Sequence, residues 1–127
     1  MIMTKSQKFD LEDRLIEFVI RVDTIVEELP DTRLGKYIAG QMIRSGTSPA
    51  LNYGEVMAAE SPNDFIHKMK IILKELRETF VCFKIIKRKP LLTNFSKYES
   101  SFRENDELIA IFASSIKTAK RNKLKKK

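Results

Sequence analysis

Hydrophobic residues recur at spacings of three and four along most of this chain, which is the period of an amphipathic α-helix. The first such segment covers residues 10–29 and carries mostly acidic side chains on its opposite side. Its apolar positions are Leu11, Leu15, Phe18, Val22, Ile25 or Val26, and Leu29. Pro30 ends this predicted helix, and Asp31 or Thr32 is suited to cap the next one.

The second segment, residues 34–59, keeps the helical spacing, but its stripe changes from apolar to polar halfway along. The positions on this stripe are Leu34, Ile38, Gln41, Ser45, Ser48, Asn52 and Glu55. Arg44 lies at the edge of the stripe, and Pro49 removes one backbone donor from the helix. We therefore predict a second helix that is kinked near residues 46–48.

Two further helices follow from the same spacing. Ser61, Pro62 and Asp64 form a helix start, with a capping side chain, a proline in the first turn and an acid near the helix N-terminus. This third helix continues to about Lys87, and a connection at residues 91–101 leads to a fourth helix that ends near Lys120. Their predicted core positions are Phe65, Met69, Ile72, Leu73, Leu76, Phe80 and Phe83, then Phe102, Leu108, Ile109, Ile111, Phe112, Ile116 and Ala119.

These elements predict an all-α fold, an antiparallel up-down-up-down four-helix bundle with a kinked second helix. A chain of 127 residues supports a single core. We expect one domain over residues 1–120, followed by a frayed basic tail over residues 121–127. The third helix has a second apolar flank that exceeds what one bundle core uses, which predicts a subunit interface near Ile71, Ile85 or Ile86.

The net charge of +7 is concentrated at the C-terminus. Residues 117–127 contain seven basic groups and no acid, and the other 17 basic residues balance the 17 acidic ones. Together with a cluster at residues 84–89, this segment could bind the phosphates of RNA or DNA. The residues concerned are Lys84, Lys87, Arg88, Lys89, Lys117, Lys120, Arg121, Lys123, Lys125, Lys126 and Lys127. The alternative is a charged end that only increases solubility, since no aromatic residue in the tail could stack on a base.

The polar stripe of the second helix has counterparts on the third, where Glu75 and Glu78 lie about one turn apart. We predict a structural polar network made of Arg44, Ser48, Asn52, Glu55, Glu75 and Glu78. The competing interpretation is a carboxylate-bound metal at Glu55, Glu75 and Glu78. A di-iron bundle needs two Glu-x-x-His pairs, and the chain has one histidine, His67, so we expect no metal and no cofactor.

Nothing in the sequence forms a recognisable catalytic constellation. Cys82 lies among apolar residues without a nearby histidine, Ser45 and Ser48 have no base within reach, and the four glycines are isolated. We therefore expect no enzyme activity. The longest uncharged runs are far shorter than the ~20 residues of a membrane span, and one cysteine fits a reducing compartment, so we expect a cytoplasmic protein.

The second and third helices resemble a known family. The segment RSGTSPALNYGE at residues 44–55, followed by LKELRE at residues 73–78, resembles the bacterial four-helix-bundle proteins encoded within 23S rRNA intervening sequences. The family pattern is of the type Arg-Ser-x-x-Ser-Ile-Pro-x-Asn-Ile-Ala-Glu-Gly. Here Pro49 follows Ser48 directly, and Tyr53-Gly54 and Val56 replace the family's Ile-Ala and Gly.

This resemblance implies a homopentamer of bundles around a central axis, without known enzymatic activity. The chain is also similar to the accessory proteins of diversity-generating retroelements, which are pentameric and basic and bind nucleic acid and a reverse transcriptase. The first hypothesis is thus a non-enzymatic homo-oligomeric scaffold that binds RNA or DNA through its basic ends. The second is a protein-binding oligomer whose tail serves only solubility.

Overall fold

The computed structural model describes residues 5–125 of the protein, and the side chains of residues 10–125. This part of the chain contains four α-helices and no strand. They are α1 (Lys5–Glu27), α2 (Arg33–Met57), α3 (Pro62–Arg88) and α4 (Glu99–Lys125), and a 3-10 turn at Phe95–Tyr98 precedes α4. Consecutive helices pack side by side, which places α1 and α3 on one diagonal of an up-down-up-down bundle. The predicted fold class is confirmed.

Local signals set the starts of two helices as predicted. The Thr32 hydroxyl accepts a hydrogen bond from the Gly35 amide at 3.0 Å and caps α2. The Ser61 hydroxyl accepts from the Asp64 amide at 3.0 Å, and the Asp64 carboxylate accepts from the Glu60 amide at 3.1 Å. These reciprocal bonds satisfy amide groups that have no partner inside α3.

The ends of the first and last helices differ from the prediction. The described part of α1 begins at Lys5 and the helix ends at Glu27, whereas α4 begins at Glu99 and continues to Lys125. The prediction that α4 ends near Lys120 and then frays is therefore wrong for residues 121–125. Lysine, arginine and leucine are good helix formers, and positive charge at a helix C-terminus is favoured by the helix dipole. Lys126 and Lys127 lie outside the described residues.

The rotation of α2 about its axis also differs from the predicted stripe. Leu34 and Glu55 are exposed, and Ser48 and Asn52 are only half-buried. The buried stripe consists of Gly35, Ile38, Met42, Ser45, Gly46, Pro49, Tyr53 and Val56. Met42, Tyr53 and Val56 bury more apolar surface than the polar residues would, and the helix turns to bury them. The α-helix is continuous through Pro49, and the kink at residues 46–48 stays a prediction.

One hydrophobic core joins the four helices, and most of the predicted core positions are in it. Its largest fully buried side chains include Tyr53, Phe18, Phe83, Phe112, Leu15, Ile25 and Met42. The other predicted positions are only half-buried, and these are Leu29, Phe65, Phe80, Phe102, Ile109, Ile111 and Ala119. Phe102 stacks on Phe80 with the ring centres 4.8 Å apart, and it also contacts Phe83 and Phe95, which closes one end of the bundle.

Ion pairing and burial fix further details of the packing. Arg14 on α1 binds Glu104 on α4 through two bonds of 2.7 and 3.0 Å, and this pair links the first and last helices. Ile86, one of three residues predicted to lie near a subunit interface, is fully buried in the core. It is therefore unavailable to a second subunit, whereas Ile71 is exposed and Ile85 is half-buried.

Candidate functional site

The motif residues of α2 and α3 meet at an arginine that bridges two carboxylates. Arg44 donates to Glu75 at 2.6 Å and to Glu78 at 2.8 Å, and it also contacts Gln41 at 3.2 Å. The Glu75 side chain is 8% exposed, whereas that of Glu78 is 38% exposed. Since an isolated buried carboxylate is costly, the half-exposed guanidinium is what makes the buried position of Glu75 tolerable. We call these three residues the Arg44 clamp.

The pKa values of the two carboxylates of the clamp are shifted in opposite directions. Burial, reinforced by the hydrogen bond and charge of Glu78, raises the pKa of Glu75 above its ordinary value. The hydrogen bond from Arg44 lowers the pKa of Glu78. The hydrogen bond to Glu78 and the charge of Glu75 raise the pKa of Arg44. When a proton enters this group it therefore goes first to Glu75, the carboxylate that is shielded from water.

A buried hydroxyl pair lies one residue from the clamp. Thr79 donates to the backbone oxygen of Glu75 at 3.0 Å, and its hydroxyl lies 2.7 Å from that of Ser45. Thr79 has only one hydroxyl proton, so Ser45 must be the donor to Thr79. The pair satisfies two buried polar groups between α2 and α3, and sequence reasoning did not find it because Ser45 was considered without Thr79.

Three members of the predicted polar network lie outside the clamp. Asn52 donates to Ser48 at 2.8 Å, four residues away on the same helix. Glu55 is exposed, with one carboxylate oxygen 4.0 Å from the ammonium of Lys68. The structure brings together Arg44, Glu75 and Glu78 and leaves Ser48, Asn52 and Glu55 apart. The rotation of α2 that buries Tyr53 and Val56 turns these residues outward.

The predicted basic residues form two groups at opposite ends of the α3–α4 pair. Lys84 lies over the Phe80 ring at 5.0 Å, and Lys87 lies over Phe95 at 5.5 Å and 3.7 Å from Glu99. Arg88 and Lys89 are exposed. At the other end, α4 carries Lys117, Lys120, Arg121, Lys123 and Lys125 on a continuous helix. We call the first group the α3 basic end and the second the α4 basic end.

A third basic region was missed by sequence reasoning. Lys70 on α3 lies beside Lys120, and its side-chain hydrogen bond and charge lower the pKa of Lys120. Exposed basic residues recur at helical spacing along α3, where Lys70, Lys74 and Arg77, which were not predicted, lead to Lys84 and Arg88 of the α3 basic end. That spacing was readable from the sequence. The balanced net charge of residues 1–116 concealed it, because acidic residues elsewhere cancel these cations.

The residues that sequence analysis considered as metal ligands or nucleophiles lie in surroundings that favour neither role. Within residues 5–125, no cluster of three or more His, Cys, Asp or Glu side chains could hold a metal ion. Glu75 and Glu78 are bound by Arg44, and His67 is exposed. Cys82 is buried, and burial raises the pKa of its thiol, which disfavours the reactive thiolate. Of the helices described, none combines the length and apolar character that crossing a bilayer requires.

Comparison with known proteins places this bundle in a family. A crystal structure from Bacteroides thetaiotaomicron VPI-5482, of a protein with unknown function from the S23 ribosomal protein family, is 31% identical in sequence to this chain. The similarity covers 87% of this chain and 97% of that one, with a TM-score of 0.73. The chain belongs to the S23 ribosomal protein family. No family model matches the sequence, and no curated protein does.

Proposed function

We propose that this S23-family protein is a non-enzymatic, homo-oligomeric helical scaffold that binds RNA or DNA through its basic ends. The observation that carries the proposal is the extension of α4 to Lys125 as a helix. A helix holds these lysines in a fixed arrangement, so that less entropy is lost on binding a phosphate backbone than in a frayed tail. Lys70, contributed by α3 beside Lys120, adds a further cation to this end.

Oligomerisation would raise the affinity of the basic ends for nucleic acid. One copy neutralises few phosphates at a time, and its binding to a polyanion would be weak and sensitive to salt. Family resemblance to the proteins of 23S rRNA intervening sequences supports a pentamer, which would present five copies of each basic end. Linking several weak sites can raise affinity by about 10²–10⁴ without any new contact. The S23 family name itself, ribosomal protein, is consistent with RNA as the ligand.

Deletion of residues 121–127 tests the role of the α4 basic end. None of the described residues in this segment is buried, so the bundle should keep its fold and its mass in solution. Affinity for duplex RNA and DNA should fall, and the slope of log affinity against log salt should decrease by about 0.9 per lost phosphate contact on B-form DNA. The matched control is Lys36→Gln, which removes an exposed lysine that pairs with Asp31 at 3.0 Å.

Two outcomes of this experiment would change the proposal. If the truncated protein binds both nucleic acids as tightly as the full chain, residues 121–127 serve only solubility. The double substitution Arg88→Gln and Lys89→Gln then decides whether the α3 basic end binds instead. If the full chain binds neither nucleic acid at low salt, the nucleic-acid part of the proposal fails.

The second candidate is a protein-binding oligomer in which the basic segment only improves solubility. Exposed apolar residues on the outer side of α2 favour it. Tyr37 and Leu51 are both exposed, on either side of the Arg44 clamp along the helix. Arg33, Leu34 and Tyr37 line an open apolar depression at the start of α2. A mixed apolar surface with a central arginine is typical of protein interfaces. This candidate predicts that neither the full chain nor the chain without residues 121–127 binds RNA or DNA.

For either candidate we propose a cytoplasmic location, on the basis of the single buried cysteine.

A further inference from the structure

The outward sides of α1 and α3 carry opposite charges. Residues 10–28 contain seven acidic residues and two arginines, and residues 62–89 contain eight basic and three acidic residues. Both arginines of α1 face α4, where Arg14 binds Glu104 and Arg21 donates to the Ser100 carbonyl at 3.4 Å. The side of α1 that faces away from the core is therefore acidic.

Each of these outward sides also has exposed apolar residues among its charges. On α1, Ile16 and Ile20 are 46% and 56% exposed, and they continue a stripe of helical spacing with Glu12, Asp23 and Glu27. We call these five residues the acidic face. On α3, Ile71 and Val81 are 41% and 51% exposed. With Lys74, Arg77 and Lys84 they form what we call the basic face.

The two faces cannot satisfy each other within one chain. Because α1 and α3 lie on one diagonal of the bundle, their outward sides point in opposite directions. They nevertheless match in length. Residues 12–27 of α1 extend over about 22 Å and residues 71–84 of α3 over about 20 Å, at the helical rise per residue. Ile16 and Ile20 on α1, and Ile71 and Val81 on α3, also leave apolar surface exposed on both sides of the molecule.

We propose that the acidic face of one copy docks on the basic face of a second copy. This inference rests on the self-association in the proposed function and names the surfaces that carry it. The opposite charges select the pairing and its register, while Ile16, Ile20 and Val81 supply the apolar contact between them. Each copy uses two different surfaces, so the contact is heterologous and leads to a closed ring or an open chain of copies.

Charge reversal on each face tests the docking. Asp23→Lys with Glu27→Lys makes the acidic face basic, and Lys74→Glu with Arg77→Glu makes the basic face acidic. Each double variant brings like charges together, and we expect association measured by sedimentation to weaken by about tenfold or more. The chain with all four substitutions again has faces of opposite charge, with the acidic one now on α3 and the basic one on α1. It should associate again. A 1:1 mixture of the two double variants should also associate.

Control variants separate docking from general effects of charge. Arg103→Glu and Asp106→Lys reverse exposed charges on α4, and they should leave association unchanged. Circular dichroism of every variant verifies that the bundle is folded. Ile16→Ser with Ile20→Ser should weaken association without changing the net charge.

The outcomes distinguish a failure of the docking proposal from a failure of the proposed function. If both double variants sediment like the parent oligomer, or if the four-substitution chain associates no better than they do, the docking of these faces is refuted and oligomerisation uses other surfaces. If Lys74→Glu with Arg77→Glu abolishes RNA binding while the mass is unchanged, the basic face is a nucleic-acid site and not an assembly surface. If the parent chain is a monomer at all concentrations, both the docking and the oligomeric part of the proposed function fail.

Discussion

At the scale of single residues, the Arg44 clamp contains a buried carboxylate, that of Glu75. Replacement by Arg44→Met would remove two ion pairs, of 2.6 and 2.8 Å, and leave this carboxylate beside Glu78 without a counterion. We expect a lower melting temperature at neutral pH, because a buried charge without its partner is strongly disfavoured. Arg103→Met, at an exposed arginine of α4, is the matched control and should melt like the parent.

The effect of Arg44→Met should depend on pH in a defined direction. Removing the guanidinium raises the pKa of Glu75 and Glu78 in the folded state, and the unfolded state keeps ordinary values near 4.5. The difference in free energy of unfolding between parent and variant therefore increases as the pH rises above the ordinary glutamate range. The difference disappears in acid, where both carboxylates are protonated in the folded and in the unfolded state. Melting curves with a pH-independent difference would show that the clamp does not control these ionisations.

At the scale of helices, Gly46 sets how closely α2 approaches α1. A Cβ atom at this position would lie 3.0 Å from both methyl groups of Val22, which is fully buried. Rotation of the valine cannot relieve both contacts, so the two helices would have to separate. A Cβ atom at Gly40 on the same helix would meet nothing within 4 Å.

These two glycines provide a matched pair of alanine substitutions. Gly40→Ala should stabilise the protein by roughly 0.5–1 kcal/mol through helix propensity alone. Gly46→Ala has the same gain, but overpacking costs typically 1–3 kcal/mol, so we expect net destabilisation of about 1 kcal/mol or more. Urea unfolding of both variants measures the difference. Equal effects at the two positions would mean that α1 and α2 are not tightly packed at Gly46.

At the scale of the whole molecule, charge is separated across the bundle although residues 1–116 have no net charge. The acidic face of α1 and the basic face of α3 point away from each other. If copies associate through these faces, folding is linked to assembly, and the melting temperature should rise with protein concentration. In the Lys74→Glu, Arg77→Glu variant it should stay constant over the same range. A parent melting temperature that does not vary with concentration would contradict the linkage.

The sequence by itself determined the helices and most of the core. Thr32 and Ser61 cap helices through bonds to amides three residues away, and Leu11, Leu15 and Phe18 repeat at the helical period. Such signals act within one or two turns, so they can be read without knowing any neighbour. The partners of Arg44 were also predictable, because Glu75 and Glu78 are the carboxylates of the neighbouring helix that share its inner edge.

Only the tertiary structure decided how each helix is rotated and which charges share a surface. The sequence of α2 allows either Ser48 and Asn52 or Pro49, Tyr53 and Val56 to face inward, and the second set is buried because it fills the core against residues such as Phe112. That rotation removes Ser48, Asn52 and Glu55 from the predicted network. The diagonal placement of α1 and α3 likewise separates charges that cancel along the chain. Both results depend on contacts between residues far apart in sequence, where the burial of apolar surface outweighs local preference.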